Sequence, residues 1–316
     1  MSGWLPDQMP TLKGKVAVVT GAISGLGYFT TRELARKGAH VVLACRSREK
    51  TEIALRDLAD DVPGAKLEFL PLDLADLADI RAFADAFRAK HPRLDILCNN
   101  AGVMALPFRQ TADGFELQMG TNHLGHFALT GLLFDLLKRS TGARIVNVAS
   151  LAHRWTRGLN LEDLHFEKAR YSKWDAYSKS KLANLLFTFE LDRRLKKSGI
   201  DVLAVAAHPG YSATNLGFAG PAMQKSVLGK MVIGAGNLAF AQPADRGALP
   251  QLFAATAPDV QGGDYIGPNG WQQLRGYPRK VGSRREARNP ELAAKLWDLS
   301  EKLTSVNYLS RKAANA

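Results

Sequence analysis

Residues 16–27 read VAVVTGAISGLG, and this stretch decides the fold. The apolar run Val16–Val19 predicts a buried strand, and the periodicity from about Leu26 to Lys37 predicts a helix that ends at Gly38. A strand, a glycine-rich turn and a helix in this order begin a βαβ unit. The helix N-terminus of such a unit offers free N–H groups and a partial positive charge to a phosphate. We therefore predict a dinucleotide site here rather than a purely structural turn.

Each polar or glycine position of this turn has a physical reason. Gly21 permits the tight turn, while Gly25 and Gly27 let a pyrophosphate approach the backbone and let the helix pack closely on the strand. Ser24 adds a hydroxyl donor, and Leu26 contributes a backbone N–H at the start of the helix. These five residues are the predicted phosphate-binding set.

The same alternation of short apolar strands and longer amphipathic helices continues along the chain. Further strands are predicted at 41–44, 67–70, 94–98, 145–148, 202–206 and 263–266, and further helices near 48–60, 76–89, 112–139, 174–198 and 243–256. Continuously apolar strands are typical of a sheet covered on both faces, and the alternation implies parallel strands. We predict an α/β fold: a doubly wound, Rossmann-type, parallel seven-stranded sheet in a single domain.

No shift in composition marks a second domain. Within residues 1–316 we predict a core over about 14–275, a substrate lid over 210–242, and a basic C-terminal extension over 276–316. The lid prediction rests on the glycine-rich, apolar stretch 216–240. We expect the arginine-rich C-terminal extension to fold back over the substrate region.

Composition restricts the class of protein. Apolar residues make up 46% of the chain and charged residues 23%, which excludes intrinsic disorder. The two cysteines, Cys45 and Cys98, both end apolar runs and are predicted to be buried free thiols. The sequence has no 18-residue apolar stretch and no signal-peptide pattern, so we predict no membrane span and a cytoplasmic location.

The net charge of +12 raises the question of a nucleic-acid partner. Residues 275–316 hold ten Lys or Arg against four acidic residues, so half of the excess charge lies in that segment. No zinc-finger spacing or aromatic RNA-binding motif accompanies it. We interpret the segment as a solvated basic surface and expect no nucleic-acid partner.

The end of the second predicted strand indicates which dinucleotide binds. NAD sites usually place an acidic residue there, on the ribose 2′-hydroxyl. Here the strand runs into Arg46-Ser47-Arg48, and arginine suits the oxygens of a 2′-phosphate. The pattern therefore predicts NADP(H). The alternative is a solvated arginine pair that begins the next helix.

Tyr177 and Lys181 are the predicted centre of the chemistry. They lie four residues apart and so share one face of a helix. A nearby ammonium favours phenolate, so we expect Lys181 to lower the pKa of Tyr177. Tyr177 can then exchange a proton with a carbonyl or alcohol oxygen. Ser150 ends the fifth strand and Asn122 lies in the preceding helical stretch, so both are further candidates at the same sheet edge.

With these residues in place, the sequence resembles the short-chain dehydrogenase/reductase family from about Gly14 to about Asn307. The motifs that carry the resemblance are the glycine turn, Asp73, Asn99-Asn100-Ala101-Gly102, Asn122, Ser150, Tyr177 with Lys181, and His208-Pro209-Gly210 with Thr214. The passages 121–127 and 178–184 are most similar to the retinol-dehydrogenase-like and WW-domain-oxidoreductase-like branch.

The resemblance implies a role for each motif. Tyr177 is implied to be the general acid/base, and Lys181 is implied to lower the pKa of Tyr177 and to bind the nicotinamide ribose. Ser150 is implied to orient the substrate oxygen. Asn122 is implied to hold a water molecule of the proton relay. The implied cofactor contacts beyond the glycine turn are Arg46, Arg48, Asp73, Leu74, Asn100, Ala101, Gly102, Tyr177, Lys181, Pro209, Gly210 and Thr214. The family also implies dimers or tetramers, so a homo-oligomer is an open expectation.

The candidate substrate contacts are chosen only by their position in the sequence. Met104, His153, Trp155 and Tyr211 flank the catalytic passages and are candidate contacts to an apolar substrate. The insert 151–176 is expected to form one wall of the pocket. The pattern predicts no metal site there, because His123 and His126 have no third ligand nearby in sequence. Trp271 and Trp297 are predicted to be core residues.

These observations predict an NADP(H)-dependent oxidoreductase that interconverts a carbonyl and an alcohol, on a small apolar substrate. Two alternatives remain open. One is a reductase of an activated C=C bond, similar to protochlorophyllide reductases. The other is a non-catalytic, NADP-responsive interaction protein.

Overall fold

Eight strands form one sheet in the computed structural model, which describes residues 3–212 and 241–309. The strands are β1 Val16–Thr20, β2 His40–Cys45, β3 Lys66–Pro71, β4 Ile96–Asn99, β5 Ala143–Val148, β6 Val202–Ala207, β7 Tyr265–Pro268 and β8 Pro278–Lys280. Their order is β3-β2-β1-β4-β5-β6-β7-β8, and every neighbouring pair is parallel except β7 with β8. The order reverses beside β1, which opens a crevice between β1 and β4 at their carboxyl ends.

Helices cover both faces of this sheet. They are α1 Gly25–Arg36, α2 Arg48–Asp61, α3 Leu77–Lys90, α4 Leu117–Met119, α5 Gly125–Leu132, α6 Phe134–Lys138, α7 Lys173–Lys197, α8 Ala244–Thr256 and α9 Pro290–Thr304, with a π-helical turn over Gly120–Leu124. Separate clusters of buried apolar side chains fill the space between the helices and each sheet face. The chain is thus a single α/β domain of Rossmann type, which confirms the predicted fold class.

The predicted number of strands is wrong by one. The eighth strand, β8, lies in the segment that the sequence assigned to the basic C-terminal extension, and it pairs antiparallel with β7. Only Pro278 of its three residues is buried, while Arg279 and Lys280 are exposed. A short edge strand of this kind has no apolar run, so the hydrophobic pattern did not reveal it.

The stretch expected to be one helix over 112–139 is divided into several. The π-helical turn Gly120–Leu124 separates α4 from α5, and Leu133 separates α5 from α6. A π-helical turn inserts extra backbone into a helix and often marks a functional position. Here it carries Asn122.

The last helix, α9, completes the core on one side of the sheet. Trp297 is only 2% exposed, and its ring centroid lies 5.0 Å from that of Phe127 and 4.8 Å from that of Tyr308. The Arg194 guanidinium stacks on the Trp297 ring at 4.3 Å. The core prediction for Trp297 is correct, but for Trp271 it is wrong. Trp271 is 74% exposed because it lies in a turn after β7 rather than on a packed element.

Part of the basic C-terminal extension contacts the 151–176 insert. The Arg284 guanidinium donates to the Thr156 carbonyl oxygen at 2.6 Å, and the Arg154 guanidinium donates to the Gly282 carbonyl oxygen at 3.0 Å. Cys45 and Cys98 are buried free thiols, as predicted. Thr214 and the predicted lid stretch 216–240 lie outside the described residues.

Candidate active site

The carboxyl ends of β1, β4, β5 and β6 place the predicted site residues at one edge of the sheet. Because these strands are parallel, Thr20, Asn99, Val148 and Ala207 end together, and the loops that follow them converge. The glycine turn, the Asn-Asn-Ala-Gly passage and Ser150 therefore share this edge, as the sequence predicts.

The glycine turn leaves no room for side chains at two positions. Gly21 has a φ of +65°, and a Cβ at Gly27 would lie 2.2 Å from the Gly21 carbonyl oxygen. Ser24 is the N-cap of α1, yet among the described residues its side chain accepts no capping hydrogen bond. The Ser24 side chain therefore does not compete for the first N–H groups of α1, which fits a pyrophosphate bound there.

This close contact supplies a first test. We expect Gly27→Ala to lower the free energy of unfolding by about 1–3 kcal/mol and to weaken dinucleotide binding, because the new methyl group pushes α1 from β1. Thermal unfolding and cofactor titration measure the two effects. Gly282→Ala is the matched control, since Gly282 has open space around it and no positive φ. Equal behaviour of the two variants would contradict the close packing at Gly27.

A threonine that the sequence analysis did not select organises the crevice. The Thr20 hydroxyl oxygen accepts hydrogen bonds from the backbone N–H groups of Asn100 and Ala101, both at 2.9 Å, and lies 2.9 Å from His126 Nε2. The Asn100 side chain donates to the Thr20 carbonyl oxygen at 2.8 Å. Thr20 thus fixes the path of the chain after β4 against the glycine turn. Its position as the last residue of the first strand was the signal available.

The two arginines predicted to select the cofactor have exposed side chains. Arg46 is 78% exposed and lies 3.5 Å from one carboxylate oxygen of Asp73. The other carboxylate oxygen of Asp73 accepts a hydrogen bond from the Ala75 N–H. Arg48 is 69% exposed and stacks over the Phe69 ring at 5.1 Å. The Arg46 guanidinium thus lies just after β2 beside Asp73, the Arg48 guanidinium lies at the start of α2 near Glu52, and most of the surface of both is open to a ligand.

Tyr177 and Ser150 meet at the centre of the site. A hydrogen bond joins the two side chains, and Tyr177 is only 5% exposed. Burial raises the pKa of Tyr177 to about 12, and the hydrogen bond from Ser150 opposes this rise. Lys181 is not among the causes of this shift, so the lowering of the Tyr177 pKa that the sequence predicts from Lys181 is not found. Tyr177 is consequently a protonated phenol at neutral pH.

Lys181 lies one helical turn beyond Tyr177 and is almost fully buried. Its ammonium group donates to the Val148 carbonyl oxygen at 3.0 Å and lies 5.7 Å from the centre of the Tyr177 ring. Burial lowers the pKa of Lys181 to about 8. A Cβ at Gly102 would lie 3.5 Å from the Lys181 nitrogen, so the glycine keeps the loop close to this ammonium group.

Asn122 holds that loop in place from the π-helical turn. Its side-chain oxygen accepts from the Val103 N–H at 2.8 Å, and its side-chain nitrogen donates to the Val103 carbonyl oxygen at 3.0 Å and to Ser180 Oγ at 2.9 Å. Ser180, also missed in the sequence, connects Asn122 to α7 because its hydroxyl donates to the Tyr177 carbonyl oxygen. The structure therefore shows Asn122 positioning backbone; its expected role in holding water stays a prediction.

The loop after β6 is held by hydrogen bonds to one of its own carbonyl oxygens, which come from a loop hydroxyl and from a glutamine distant in sequence. Gly210 has a φ of +68°, and the Pro209 carbonyl oxygen accepts from Ser212 Oγ at 2.8 Å and from the Gln242 side chain at 2.7 Å. Tyr211 is 37% exposed. The predicted contact from Thr214 lies beyond the described residues.

Two exposed tryptophans stand beside Tyr177. Trp155 and Trp174 are 67% and 44% exposed, and their ring centroids lie 6.3 Å apart. Trp174 in turn lies 6.4 Å from the Tyr177 ring. A pocket of about 440 Å³ is lined by Trp155, Arg157, Ser172, Trp174, Asp175 and Ser178, all but the last from the 151–176 insert. Neither Tyr177 nor Ser150 lines this pocket, so the expected role of the insert as a wall of the substrate pocket stays a prediction.

His153, a predicted substrate contact, is instead engaged by protein on both sides. It has no exposed surface, its Nδ1 lies 2.6 Å from the Ser150 carbonyl oxygen, and its Nε2 accepts from the Arg284 N–H at 3.3 Å. Burial lowers its pKa to about 4, so the ring is neutral. These contacts make His153 a link between Ser150 and the C-terminal segment. Met104 is partly buried and stays a predicted substrate contact.

The crevice beside the glycine turn and the grouping of Ser150, Tyr177 and Lys181 are the arrangement of a Rossmann-type oxidoreductase. The short chain dehydrogenase family model matches residues 15–161. Mouse retinol dehydrogenase 14 is 40% identical over 307 residues, which cover 93% of this chain and 87% of the relative. The chain belongs to the short-chain dehydrogenase/reductase family and is similar to its retinol dehydrogenases.

Solved structures share the fold of this chain. A crystal structure of a protein from Mycobacterium paratuberculosis is 44% identical, with a TM-score of 0.80 over 97% of this chain and 99% of that one. A short chain dehydrogenase from Shigella flexneri, complexed with NADP, is 21% identical with a TM-score of 0.62 over 82% of this chain and 98% of that one, and shows likeness of fold alone. Within the residues that the structure describes, no helix has the length and apolar character to cross a bilayer.

Proposed function

We propose that this protein is an NADP(H)-dependent oxidoreductase that interconverts an apolar aldehyde or ketone and its alcohol. The observation that carries the proposal is the hydrogen bond between the buried Tyr177 and the partly exposed Ser150, with Lys181 one turn along the same helix and at the edge where the glycine turn opens. Paired hydroxyls beside an ammonium group suit proton transfer to oxygen.

The residues present fit a nicotinamide dinucleotide. The uncapped start of α1 would hold the pyrophosphate, and the loop of Asn100 and Gly102 would line the cleft. Arg46 and Arg48 would pair with a 2′-phosphate, which distinguishes NADP(H) from NAD(H). The Shigella flexneri family member with this fold was solved with NADP. When bound, the dinucleotide supplies or accepts the hydride.

The chain's own residues supply position and a proton. In reduction, Tyr177 gives its phenolic proton to the carbonyl oxygen while Ser150 holds that oxygen by a hydrogen bond. The Lys181 ammonium stabilises the phenolate that results. Asn122 keeps the loop before it fixed, so that the oxygen meets the hydroxyls in one geometry.

The substrate class follows from the wall beside Tyr177. Trp155 and Trp174 present aromatic surface next to the phenol, which favours apolar carbonyl compounds. The similarity to retinol dehydrogenases points the same way and makes retinaldehyde a sensible member of a test panel. A panel of apolar aldehydes and ketones, assayed by NADPH consumption, tests the proposal. Alcohol products support it, whereas saturated carbonyl products would indicate C=C reduction, and no turnover with tight NADPH binding would indicate a non-catalytic role.

The pH dependence of reduction is a further prediction. The pKa of Lys181 is about 8, so its charge is present below that pH and lost above it. We expect the rate of carbonyl reduction to be flat between about pH 6 and 7.5 and to fall above pH 8, because an uncharged Lys181 no longer stabilises the Tyr177 phenolate. Steady-state rates with saturating NADPH measure this profile. A rate that stays constant to pH 9.5 would contradict the role given to Lys181.

A further inference from the structure

A cluster of two histidines and one glutamate lies at the sheet edge opposite the candidate active site. His40 is the first residue of β2, Glu68 lies on the neighbouring strand β3, and His91 is the C-cap of α3. Their ligand-type atoms all lie within 4.8 Å of one another. Nothing in the proposed reaction uses these residues.

The distances suit a shared metal ion. Glu68 Oε2 lies 2.9 Å from His91 Nε2 and 3.6 Å from His40 Nε2. Zinc binds histidine nitrogen and carboxylate oxygen at about 2.0–2.2 Å, so ligand atoms around a tetrahedral zinc stand roughly 3.3–3.5 Å apart. Small side-chain rotations would therefore bring the three atoms around one ion.

The surroundings hold the ligands and leave access. The second carboxylate oxygen of Glu68 pairs with the Lys90 ammonium at 2.7 Å, so the first oxygen is the one that faces the two imidazoles. The His91 ring packs on Phe87 with centroids 4.5 Å apart. The side chains of His40 and Glu68 are 33% and 19% exposed, so an ion can enter and a water can fill the fourth position.

The charge and ligand set select the kind of ion. Two imidazoles with one carboxylate suit a transition metal such as zinc, whereas magnesium and calcium prefer oxygen ligands. The imidazole nitrogens of His40 and His91 both face the same carboxylate oxygen of Glu68, so all three ligand atoms converge on one point. The Lys90 ammonium group repels a metal cation bound nearby, which limits the affinity for the metal.

We propose that His40, Glu68 and His91 form a Zn²⁺ site that ties β2, β3 and the end of α3 together. The site acts on the stability of the dinucleotide-binding half and takes no part in the chemistry at Tyr177. It is independent of the proposed function, because His40 begins β2, Glu68 lies in the first half of β3 and His91 follows α3, all away from the carboxyl ends of β1, β4 and β5.

The test is titration of the purified, chelator-treated chain with Zn²⁺, followed by calorimetry and by thermal unfolding, with Mg²⁺ as a comparison ion. We expect one Zn²⁺ per chain, a raised Tm, and no response to Mg²⁺. His91→Gln and His40→Gln should each weaken Zn²⁺ binding by about tenfold or more. His165→Gln is the control, because this partly buried histidine lies outside the cluster, and its binding should match wild type.

A variant that is expected to bind Zn²⁺ more tightly distinguishes this site from non-specific binding to the protein surface. Lys90→Gln removes the ammonium group from Glu68, so Zn²⁺ should bind several-fold more tightly. All variants should bind NADPH as wild type does. His40→Gln changes a partly exposed side chain, so the test stands even where His91→Gln does not fold. A wild-type Zn²⁺ stoichiometry of zero, or unchanged binding in His40→Gln, would overturn the proposal.

Discussion

Tyr177→Phe should reduce carbonyl turnover by about a thousandfold while leaving NADPH binding and Tm close to wild type. The variant removes only the phenolic oxygen, and with it the proton that must reach the substrate oxygen and the hydrogen bond with Ser150. The loss should appear in kcat, because the proton moves in the chemical step. Steady-state kinetics with an apolar aldehyde, together with NADPH titration, measure it.

The control for this variant is a second buried tyrosine near the site. Tyr265 is 1% exposed, and its hydroxyl has no hydrogen-bond partner among the described residues. Tyr265→Phe is therefore isosteric at a comparable depth and should keep wild-type turnover. If Tyr177→Phe also reduced its substrate at the wild-type rate, another group would have to supply the proton.

Arg46→Asp should weaken NADPH binding by about a hundredfold and leave NADH binding unchanged or improved. The substitution removes a cation from the end of β2 and places a carboxylate beside Asp73, now 3.5 Å from the guanidinium. Two carboxylates there would repel a 2′-phosphate but could accept from a free ribose hydroxyl. Fluorescence titration of both dinucleotides against the variant measures the change in preference.

Arg56→Asp separates this local effect from a change in overall charge. Arg56 is exposed on α2, the helix that follows Arg46, and the two variants have the same net charge. Arg56→Asp should therefore bind both dinucleotides as wild type does. Equal loss of NADPH affinity in both variants would mean that Arg46 acts only through the general positive potential of the surface.

Features with a local sequence cause were predicted well. The glycine turn, the first six strands and the spacing of Tyr177 and Lys181 each depend on residues close together in the chain. Parallel pairing then brings the strand ends to one edge, so the positions of Ser150 and the Asn-Asn-Ala-Gly passage also followed.

Features that depend on distant contacts were missed. β8 forms only because β7 offers an edge, and the exposure of Trp271, which was predicted to be a core residue, follows from its place in a turn rather than on a packed element. The raised pKa of Tyr177 has the same origin, since the depth of burial comes from the whole fold and not from the spacing to Lys181. The grouping of His40 with two residues far along the chain likewise had no local pattern.

The position of α9 has a consequence for how the protein is made. Trp297 fills a core formed by Phe127, Phe187 and Tyr308, so this core joins α9 to residues far earlier in the chain. Before α9 docks, the rings of Phe127 and Phe187 lack this cover. We expect the growing polypeptide to remain a substrate for chaperones up to that moment, and to resist proteases only once α9 has docked.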